Sequence, residues 1–226
     1  YNTEQYEFEK MVLEPFKDHH PELEELAQLH TLKPDLVSGG LFDFSNETKT
    51  YFHNTFYTKL NAGWGEFIAS YHKFVINEVA PLFDEDKLVF QYTPSLRVHI
   101  PNNKAISLWH YDSDSDHKHP LGEINFQIPL TETFDTNAMW IESAAGRADY
   151  RPVEVHYGQF VEFDGNTCTH GNKVNKTGLT RVSFDFRVMP HSKYNPNYNL
   201  TTGDLGKRFL VGEYYSLYED GVIKDV

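Results

Sequence analysis

The sequence has almost none of the residues that form covalent cross-links, and it lacks long apolar runs. Cys168 is the only cysteine among the 226 residues, which excludes an intrachain disulfide and favours a reducing, cytoplasmic location. We expect Cys168 to occupy a small buried apolar position. No apolar run approaches the roughly 18 residues of a transmembrane helix, so we expect no association with a membrane.

Basic residues are also in the minority. The chain has 20 Lys and Arg against 33 Asp and Glu, a formal net charge of −13. This charge would repel a phosphate backbone and argues against a nucleic-acid partner. No phosphate-binding glycine loop is present. The hydrophobic content of 39% suits a globular chain, and the length predicts a single domain over 1–226.

The first 86 residues have mostly helical patterns. His20-Pro21-Glu22 is typical of a helix start, because proline and acidic residues are favoured in the first turn. Apolar residues recur every three or four positions across 62–80, which predicts a helix with one buried face against a sheet. That face comprises Trp64, Phe67, Ile68, Tyr71, Phe74, Val75 and Val79.

From residue 87 to 190 the pattern changes to short β-rich runs separated by turn residues. Phe184, Phe186 and Val188 alternate with polar residues, as in a half-buried strand. The predicted strands are 88–99, 105–110, 123–130, 138–142, 153–157, 159–163 and 179–188. Many short, evenly spaced strands predict a mainly β, jelly-roll fold preceded by helices. For the aromatic C-terminal extension, 191–226, two roles stay open: a cap over the site or the contact of a possible homodimer.

Two histidines and one aspartate in the β region have the composition of a metal site. In His110-Tyr111-Asp112 the outer two residues share a face of an extended strand. His170 follows Asp112 by 58 residues, and antiparallel neighbours can bring it to the same end of a barrel. Two imidazoles and one carboxylate form the facial triad that binds Fe(II) and leaves positions open. We predict His110, Asp112 and His170 as metal ligands and catalytic centre, although a catalytic zinc would use a similar set.

An arginine follows the second histidine at a suitable distance for an anion anchor. Arg181 lies eleven residues after His170, and Ser183 shares its strand face. Arginine pairs with a carboxylate through two parallel hydrogen bonds, and Ser183 can add one more. Arg187 lies seventeen residues after His170, which we interpret as too far for this role.

The combined pattern, His-x-Asp, a long gap, His and then Arg-x-Ser, resembles that of the Fe(II)/2-oxoglutarate-dependent dioxygenases. Three phrases are similar to the branch that includes a streptomycin-biosynthesis protein and lies near the phytanoyl-CoA hydroxylases. They are Leu108-Trp109-His110-Tyr111-Asp112, Gly122-Glu123-Ile124-Asn125-Phe126 and Trp140-Ile141-Glu142-Ser143. The likeness covers roughly 88–190. It implies a double-stranded β-helix of the cupin type, with Fe(II), 2-oxoglutarate and O2 as cofactor and co-substrates. It also implies hydroxylation or another C–H oxidation of a small-molecule substrate, with release of succinate and CO2.

Four further residues are candidates for the site. The resemblance suggests that Asn125 faces the co-substrate. Gln127 shares its face and is either a substrate contact or a polar residue of the sheet. Arg97 is either a contact for an acidic substrate or part of a surface ion pair. Trp140 is either a substrate contact or a core residue.

Two questions remain open: whether the 112–123 segment is a calcium-binding loop, and which function the whole chain has. Asp112, Asp114, Asp116 and Glu123 fall at calcium-loop positions, but His117 replaces the glycine that such a loop requires. We expect His117-Lys118-His119 to be a mobile loop over the site, with a second metal site as the alternative. The alternative functions are a cupin-like metalloenzyme that does not use 2-oxoglutarate and a non-catalytic jelly-roll binding module. Metal content and binding of 2-oxoglutarate distinguish them.

Overall fold

The computed structural model describes residues 1–32, 50–103, 109–202 and 206–224. The α-helices in these ranges are α1 (Phe8–Lys17), α2 (Tyr51–Asn61) and α3 (Gly65–Phe74). The strands are β1 (Lys87–Gln91), β2 (Ser95–His99), β3 (Ile124–Pro129), β4 (Met139–Ile141), β5 (Arg151–Val153), β6 (Val161–Phe163), β7 (His170–Asn172), β8 (Arg181–Pro190), β9 (Tyr215–Glu219) and β10 (Val222–Lys224). Shorter 3-10 and π turns are Leu26–Thr31, Val75–Val79, Ala80–Leu82, Asp135–Asn137 and His191–Lys193. Across these ranges no helix combines the length and apolar character of a membrane span.

The strands form two antiparallel sheets. The larger has the order β10-β9-β1-β8-β3-β6, and β2 pairs with the first half of β8. The smaller has the order β5-β4-β7. Strand β8 is the centre of the larger sheet because its ten residues pair with β1, β2 and β3. The prediction of a mainly β chain with N-terminal helices is confirmed.

Strand β8, which was predicted to be half-buried, is buried on both faces, and the two faces differ in chemistry. Successive side chains of a strand point to opposite sides, so its apolar and polar residues separate. The apolar face holds Val182, Phe184, Phe186 and Val188, and the polar face holds Arg181, Ser183, Asp185 and Arg187. The helices cover the apolar face: the Phe184 ring lies 6.0 Å from Phe8, 5.8 Å from Phe56 and 5.3 Å from Phe67. The polar face is therefore turned away from the helices.

The helix predicted over 62–80 is confirmed in position and in its buried face. Helix α3 continues as a π turn to Val79, and the predicted stripe is buried except for half-buried Ile68. The helix start predicted at His20-Pro21 is wrong: α1 ends at Lys17, and the next helical residues are the 3-10 turn Leu26–Thr31. His20 instead packs inward and hydrogen-bonds the Tyr51 hydroxyl at 2.9 Å, so tertiary contacts override the local signal.

The strand predictions are right in the centre of the sheet and less accurate at its edges. The predicted strand 88–99 divides into β1 and β2 at the Tyr92-Thr93-Pro94 turn. The one predicted over 153–157 ends at Val153 as β5, after which Val155 makes a single bridge to Thr133. The prediction for 105–110 lies outside the described residues except for its last two. Strands β7, β9 and β10 were not predicted, and the C-terminal extension adds β9 and β10 to the edge of the larger sheet.

Candidate metal centre

The structure brings the three predicted ligands together where the two sheets meet. The His110 and His170 backbones form a bridge, with N–O distances of 3.0 and 2.8 Å. The Nε2 atom of His110 lies 3.5 Å from Asp112 Oδ1, and the Nε2 atom of His170 lies 3.9 Å from the same oxygen. The three ligand atoms all lie within 4.8 Å of one another.

These separations fit a divalent cation. With ligand bonds of about 2.0–2.2 Å, neighbouring ligand atoms of an octahedral ion lie about 3 Å apart. The observed distances of 3.5 and 3.9 Å therefore need to close by less than about 1 Å. Two nitrogens and one oxygen then face a common point from one side, which is the ligand set of a facial triad.

The second oxygen of Asp112 is held by two neighbours on the polar face of the larger sheet. Asp112 Oδ2 accepts hydrogen bonds from Asn125 Nδ2 at 2.7 Å and from Arg187 Nε at 3.0 Å, and Arg187 Nη2 lies 3.0 Å from it. Asn125 and Arg187 are directly paired in the β3–β8 register. Their contacts leave Oδ1 directed at the two imidazoles, the orientation that binding through one oxygen requires.

The electrostatics keep Asp112 charged although it is only 1% exposed. Burial is the largest influence and by itself would raise the pKa of the carboxyl group. The charge of Arg187 and the hydrogen bond from His110 outweigh it, together with smaller contributions from His119 and His170, and the pKa lies well below its usual range. A carboxylate must be deprotonated to bind a metal, and this one is.

His170 has the tautomer of a metal ligand. Its Nδ1 lies 3.1 Å from the carbonyl oxygen of Cys168. Since a carbonyl can only accept, Nδ1 carries the proton and Nε2 presents its lone pair to Asp112 and His110. Burial lowers the pKa of His170, which also favours the neutral ring. Cys168 itself is buried, as predicted, and its sulfur lies 3.9 Å from Asp164 Oδ2.

The start of β7 is fixed by Glu142. Its two oxygens accept hydrogen bonds from the backbone N–H groups of Thr169, at 2.6 Å, and Ala148, at 2.9 Å. The bonds from Ala148 and Thr169 lower the pKa of Glu142 to about 2. Because Thr169 immediately precedes His170, this carboxylate positions the strand that carries the second imidazole.

Arg181 contacts the strand that begins with His170. Its Nη2 donates to Asn172 Oδ1 at 2.9 Å, and its Nη1 donates to Ser183 Oγ at 3.4 Å. Asn172 follows His170 by two residues on β7, so the two share a face and are separated by about 6.6 Å along the strand. Arg181 is therefore hydrogen-bonded to a residue that lies one strand repeat from His170.

The chain is 34% identical to the streptomycin biosynthesis protein StrG of Streptomyces griseus over 169 residues, which are 75% of this chain and 77% of StrG. It belongs to the StrG family. No protein-family model matches the sequence. The identity to StrG confirms the predicted resemblance to the streptomycin-biosynthesis branch.

Two solved structures have a weaker likeness to this StrG-family protein. The nickel complex of ThoJ, a non-heme monooxygenase, has a TM-score of 0.39 and 20% identity over 51% of this chain and 49% of ThoJ. HygX from Streptomyces hygroscopicus with nickel and 2-oxoglutarate bound has a TM-score of 0.32 and 11% identity over 54% of this chain and 65% of HygX. The StrG-family chain thus spans about half the length of ThoJ, and TM-scores this low do not establish a shared fold.

Three further predicted site residues of the StrG-family protein, Asn125, Gln127 and Arg97, each contact a different residue. Asn125 contacts Asp112, as described, and its contact with a co-substrate stays a prediction. Gln127 lies beside Ser183, with Nε2 3.5 Å from its Oγ, and its buried Oε1 has no donor among the described residues. Arg97 forms an ion pair with Asp185 at 2.5 and 3.1 Å, but Asp185 is buried, so this is not the surface ion pair that was predicted, and the contact with an acidic substrate stays a prediction.

Trp140 is not brought to the metal centre. In the β4–β7 register Ile141 pairs with His170, and Trp140 pairs with Gly171. Adjacent residues of a strand point to opposite faces, so the Trp140 ring lies on the far side of the smaller sheet from His170. There it is covered by the ammonium group of Lys173, 3.1 Å from the ring centre. This placement gives no support to the predicted substrate contact.

Sequence reasoning missed the ion-pair ladder on the polar face of β8. Arg187 Nη1 donates to Asp185 Oδ2 at 2.8 Å, and Asp185 in turn binds Arg97, so opposite charges alternate from Asp112 to the far edge of the sheet. The alternation of charged and apolar residues along β8 was a signal for this face. Because only its spacing from His170 was used, Arg187 was assessed only as an anion anchor.

The 112–119 segment lies directly on the ligands. The Asp114 carboxylate accepts hydrogen bonds from the backbone N–H groups of Asp116 and His117, at 2.9 and 2.8 Å, and the His117 ring stacks on His110 with centroids 4.1 Å apart. Glu123 hydrogen-bonds His119 at 2.7 Å and the Tyr215 hydroxyl, and the ligand atoms of Asp112, His119 and Glu123 lie within 4.8 Å of one another. Asp114 is instead directed at the backbone of its own loop, so the carboxylates of the possible calcium loop do not all converge.

Proposed function

We propose that this protein is an Fe(II)/2-oxoglutarate-dependent oxygenase that oxidises a C–H bond of a small-molecule substrate. The observation that carries the proposal is the convergence of His110, Asp112 and His170, with Asp112 Oδ1 directed at both imidazoles. Iron is favoured over zinc because two imidazoles and one carboxylate on one side of the ion leave several positions open. When bound, the metal would supply the activation of O2 and the oxidising chemistry.

The residues around the ligands hold and orient this centre. Arg187 and Asn125 hold Asp112 Oδ2, which leaves Oδ1 for the metal. The Cys168 carbonyl fixes the His170 tautomer. Such supporting contacts normally affect metal affinity by about 10- to 100-fold.

Arg181 is the proposed anchor of 2-oxoglutarate. It is 2% exposed, and Ser183 lies within hydrogen-bond distance of its guanidinium. Its guanidinium is hydrogen-bonded to Asn172, on the strand that begins with His170. One carboxylate of 2-oxoglutarate would pair with Arg181, and the other end of the molecule would face the metal ligands. Overall, one oxygen atom of O2 enters the substrate and the other enters succinate, with release of CO2.

The proposed architecture is a double-stranded β-helix within a single domain. Support comes from the antiparallel order of both sheets and from the position of the ligands between them: His170 belongs to the smaller sheet, whereas Arg181 and Arg187 belong to the larger. The substrate class, a small metabolite or natural-product intermediate, is supported by the membership in the StrG family. The net charge of −13 is unfavourable for a nucleic-acid substrate.

An anaerobic titration of metal-free protein with Fe(II) and 2-oxoglutarate tests the proposal. The expected result is a weak visible charge-transfer band of the chelated complex. The band should be absent in His110→Ala and Asp112→Ala, because two ligands do not hold the ion. In Arg181→Ala the band should need a higher concentration of 2-oxoglutarate, because the far carboxylate loses its partner.

Two exposed residues provide matched controls. His156→Ala removes a histidine whose partner is Glu132 at the surface, and Arg208→Ala removes an arginine paired with Glu213. Both variants should titrate like the wild type. A wild-type protein that binds Fe(II) but shows no response to 2-oxoglutarate would contradict the proposed co-substrate. A protein that binds no metal would contradict the whole proposal.

A further inference from the structure

A second group of metal-binding side chains lies beside the metal centre and shares Asp112 with it. The ligand atoms of Asp112, His119 and Glu123 all lie within 4.8 Å of one another, as do the ligand atoms of the first triad. One imidazole and two carboxylates form a ligand set that suits ions such as Zn²⁺, Mn²⁺ and Co²⁺. A metal site is one of the two roles that the sequence indicates for His117-Lys118-His119.

The 112–123 loop holds these three side chains close together. The backbone N–H group of His119 donates to the carbonyl oxygen of Asp112 at 2.9 Å, which closes the loop at its base. The Nδ1 atom of His119 lies 2.7 Å from Glu123 Oε2. The three side chains therefore meet through the fold of one short loop, and no distant segment has to move to bring them together.

Glu123 is a buried carboxylate that has no lysine or arginine as its partner. It is 3% exposed, and within the described part of the chain its side chain binds the His119 ring and the Tyr215 hydroxyl. Asp112, by contrast, is paired with Arg187. A buried carboxylate is costly unless a positive charge compensates it. Two groups could do so for Glu123: a protonated His119 or a metal ion.

The contacts of Asp112 leave room for a second ion. Asn125 and Arg187 both bind Oδ2, so Oδ1 keeps its two lone-pair sites. One of them can serve an ion at the first triad, and the other can serve an ion that His119 and Glu123 also bind. Two bonds of about 2.0–2.2 Å to a shared oxygen allow the separation of about 3.5–4 Å that is usual in two-metal sites.

The C-terminal extension covers the second group. The Phe209 ring lies 4.6 Å from the His119 ring, and the Tyr214 ring lies 5.7 Å from it. The Tyr215 hydroxyl donates to Glu123 Oε1, which leaves Oε2 directed at His119. The aromatic rings keep water away from these ligands, and the attraction between a cation and a carboxylate is stronger where water is excluded.

We propose that this protein binds a second divalent cation, of the zinc, manganese or cobalt class, through Asp112, His119 and Glu123. The proposal concerns metal binding and does not depend on the oxygenase reaction. The second ion is repelled by the first ion and by Arg187, so it should bind at least about ten-fold more weakly than the first.

A titration of metal-free protein with Co²⁺ counts the sites. Equilibrium dialysis followed by elemental analysis, with excess Mg²⁺ to occupy weak surface sites, should give two cobalt ions per chain in two steps. His119→Gln and Glu123→Gln should each bind one ion. His110→Gln should also bind one, because it keeps the second set of ligands. Asp112→Asn should weaken both steps, because the two sites share this carboxylate.

A matched histidine provides the control. His156→Gln removes an exposed histidine that lies 2.6 Å from Glu132, much as His119 lies beside Glu123, and this variant should keep both ions. Thermal melts establish that each variant folds. In His110→Gln protein the paramagnetic Co²⁺ should also shift the ring-proton NMR signals of His119, and this measurement does not require that His119→Gln folds.

The outcomes separate this inference from the proposed function. One cobalt ion per chain in the wild type would overturn the second site and leave a protonated His119 as the partner of Glu123. Two ions that persist in both His119→Gln and Glu123→Gln would overturn it as well. Two ions in a protein that gives no response to 2-oxoglutarate would support the second site and contradict the proposed function. One ion together with a normal response would do the reverse.

Discussion

Removal of Arg187 is expected to be among the most destabilising changes in the polar half of the protein. Arg187 contacts two buried carboxylates, Asp112 at 3.0 Å and Asp185 at 2.8 Å, which are 1% and 6% exposed. Arg187→Met keeps the volume but leaves Asp112 with Asn125 and leaves Asp185 with Arg97. Breaking a buried pair on one side typically costs about 3–5 kcal/mol, so we expect a loss of this size in the free energy of unfolding.

The assay is urea denaturation of metal-free protein at neutral pH. Arg208→Met, which breaks an exposed pair with Glu213, should cost less than about 1 kcal/mol and is the control. A double-mutant cycle with Asp112→Asn isolates the contribution of the Arg187–Asp112 pair. Arg187 should contribute less to the free energy of unfolding once its partner is uncharged. A loss below about 1 kcal/mol, or an equal loss in the Asp112→Asn background, would refute the role given to this pair.

The pH dependence of the Arg187→Met deficit follows from the same contacts. In the wild type, Arg187 helps to hold the pKa values of Asp112 and Asp185 below their usual range against the effect of burial. The stability gained from these carboxylates is present above their unfolded pKa and is lost as the pH falls through the folded one. Without Arg187, burial is opposed only by the weaker contacts of Asp112 with its histidine neighbours and by the Arg97 charge at Asp185, so both groups take up protons more readily. The deficit should therefore shrink from roughly pH 7 towards pH 4.

Two further changes test the packing of the site and the pH response of the core. In Gly165→Ala the new Cβ would lie 2.8 Å from Asn125 Nδ2, so we expect a loss of about 1–3 kcal/mol in urea denaturation, whereas Gly65→Ala, with no atom within 4 Å, should be neutral or slightly stabilising. Burial, and then the charge of Arg97, lowers the pKa of His53 to about 4. In the unfolded chain His53 takes up a proton at a higher pH than it does in the folded protein. The free energy of unfolding should therefore fall as the pH is lowered from about 6.5 to 4, by up to about 1.4 kcal/mol per pH unit. His53→Gln should flatten this slope, and an unchanged slope would contradict the assignment.

The elements that the sequence predicted well are those whose burial follows a simple period. The stripe from Trp64 to Val79 repeats with the helical period, and Phe184 to Val188 repeats with the period of a strand; both are buried as expected. The residues of the candidate metal centre were predictable for a different reason. His110 and Asp112 share a face by their spacing, and the resemblance of the whole motif pointed to His170.

The parts that could not be predicted depend on contacts between distant segments. The role of Arg187 is set by its pairing with Asn125 across β3 and β8 and by Asp112, 75 residues earlier. Spacing from His170 contains no information on either. Strand β7 is equally hidden, because His170-Gly171-Asn172 has little β propensity and is extended only through its pairing with β4.

The two faces of β8 make the metal centre depend on the register of the sheet. A slip of one residue would turn Arg187 towards the aromatic core and Phe186 towards Asp112, because side chains alternate along a strand. The Phe184 and Phe186 rings, packed among the helix aromatics, therefore do more than stabilise the core. Their burial fixes which residues of β8 face the polar cavity. The buried charges of the polar face contribute little to the stability of this register, because buried ion pairs add little net free energy to folding. The apolar face of β8 thus supplies the free energy of folding that holds the charged face in place. The order of residues along β8 determines both faces.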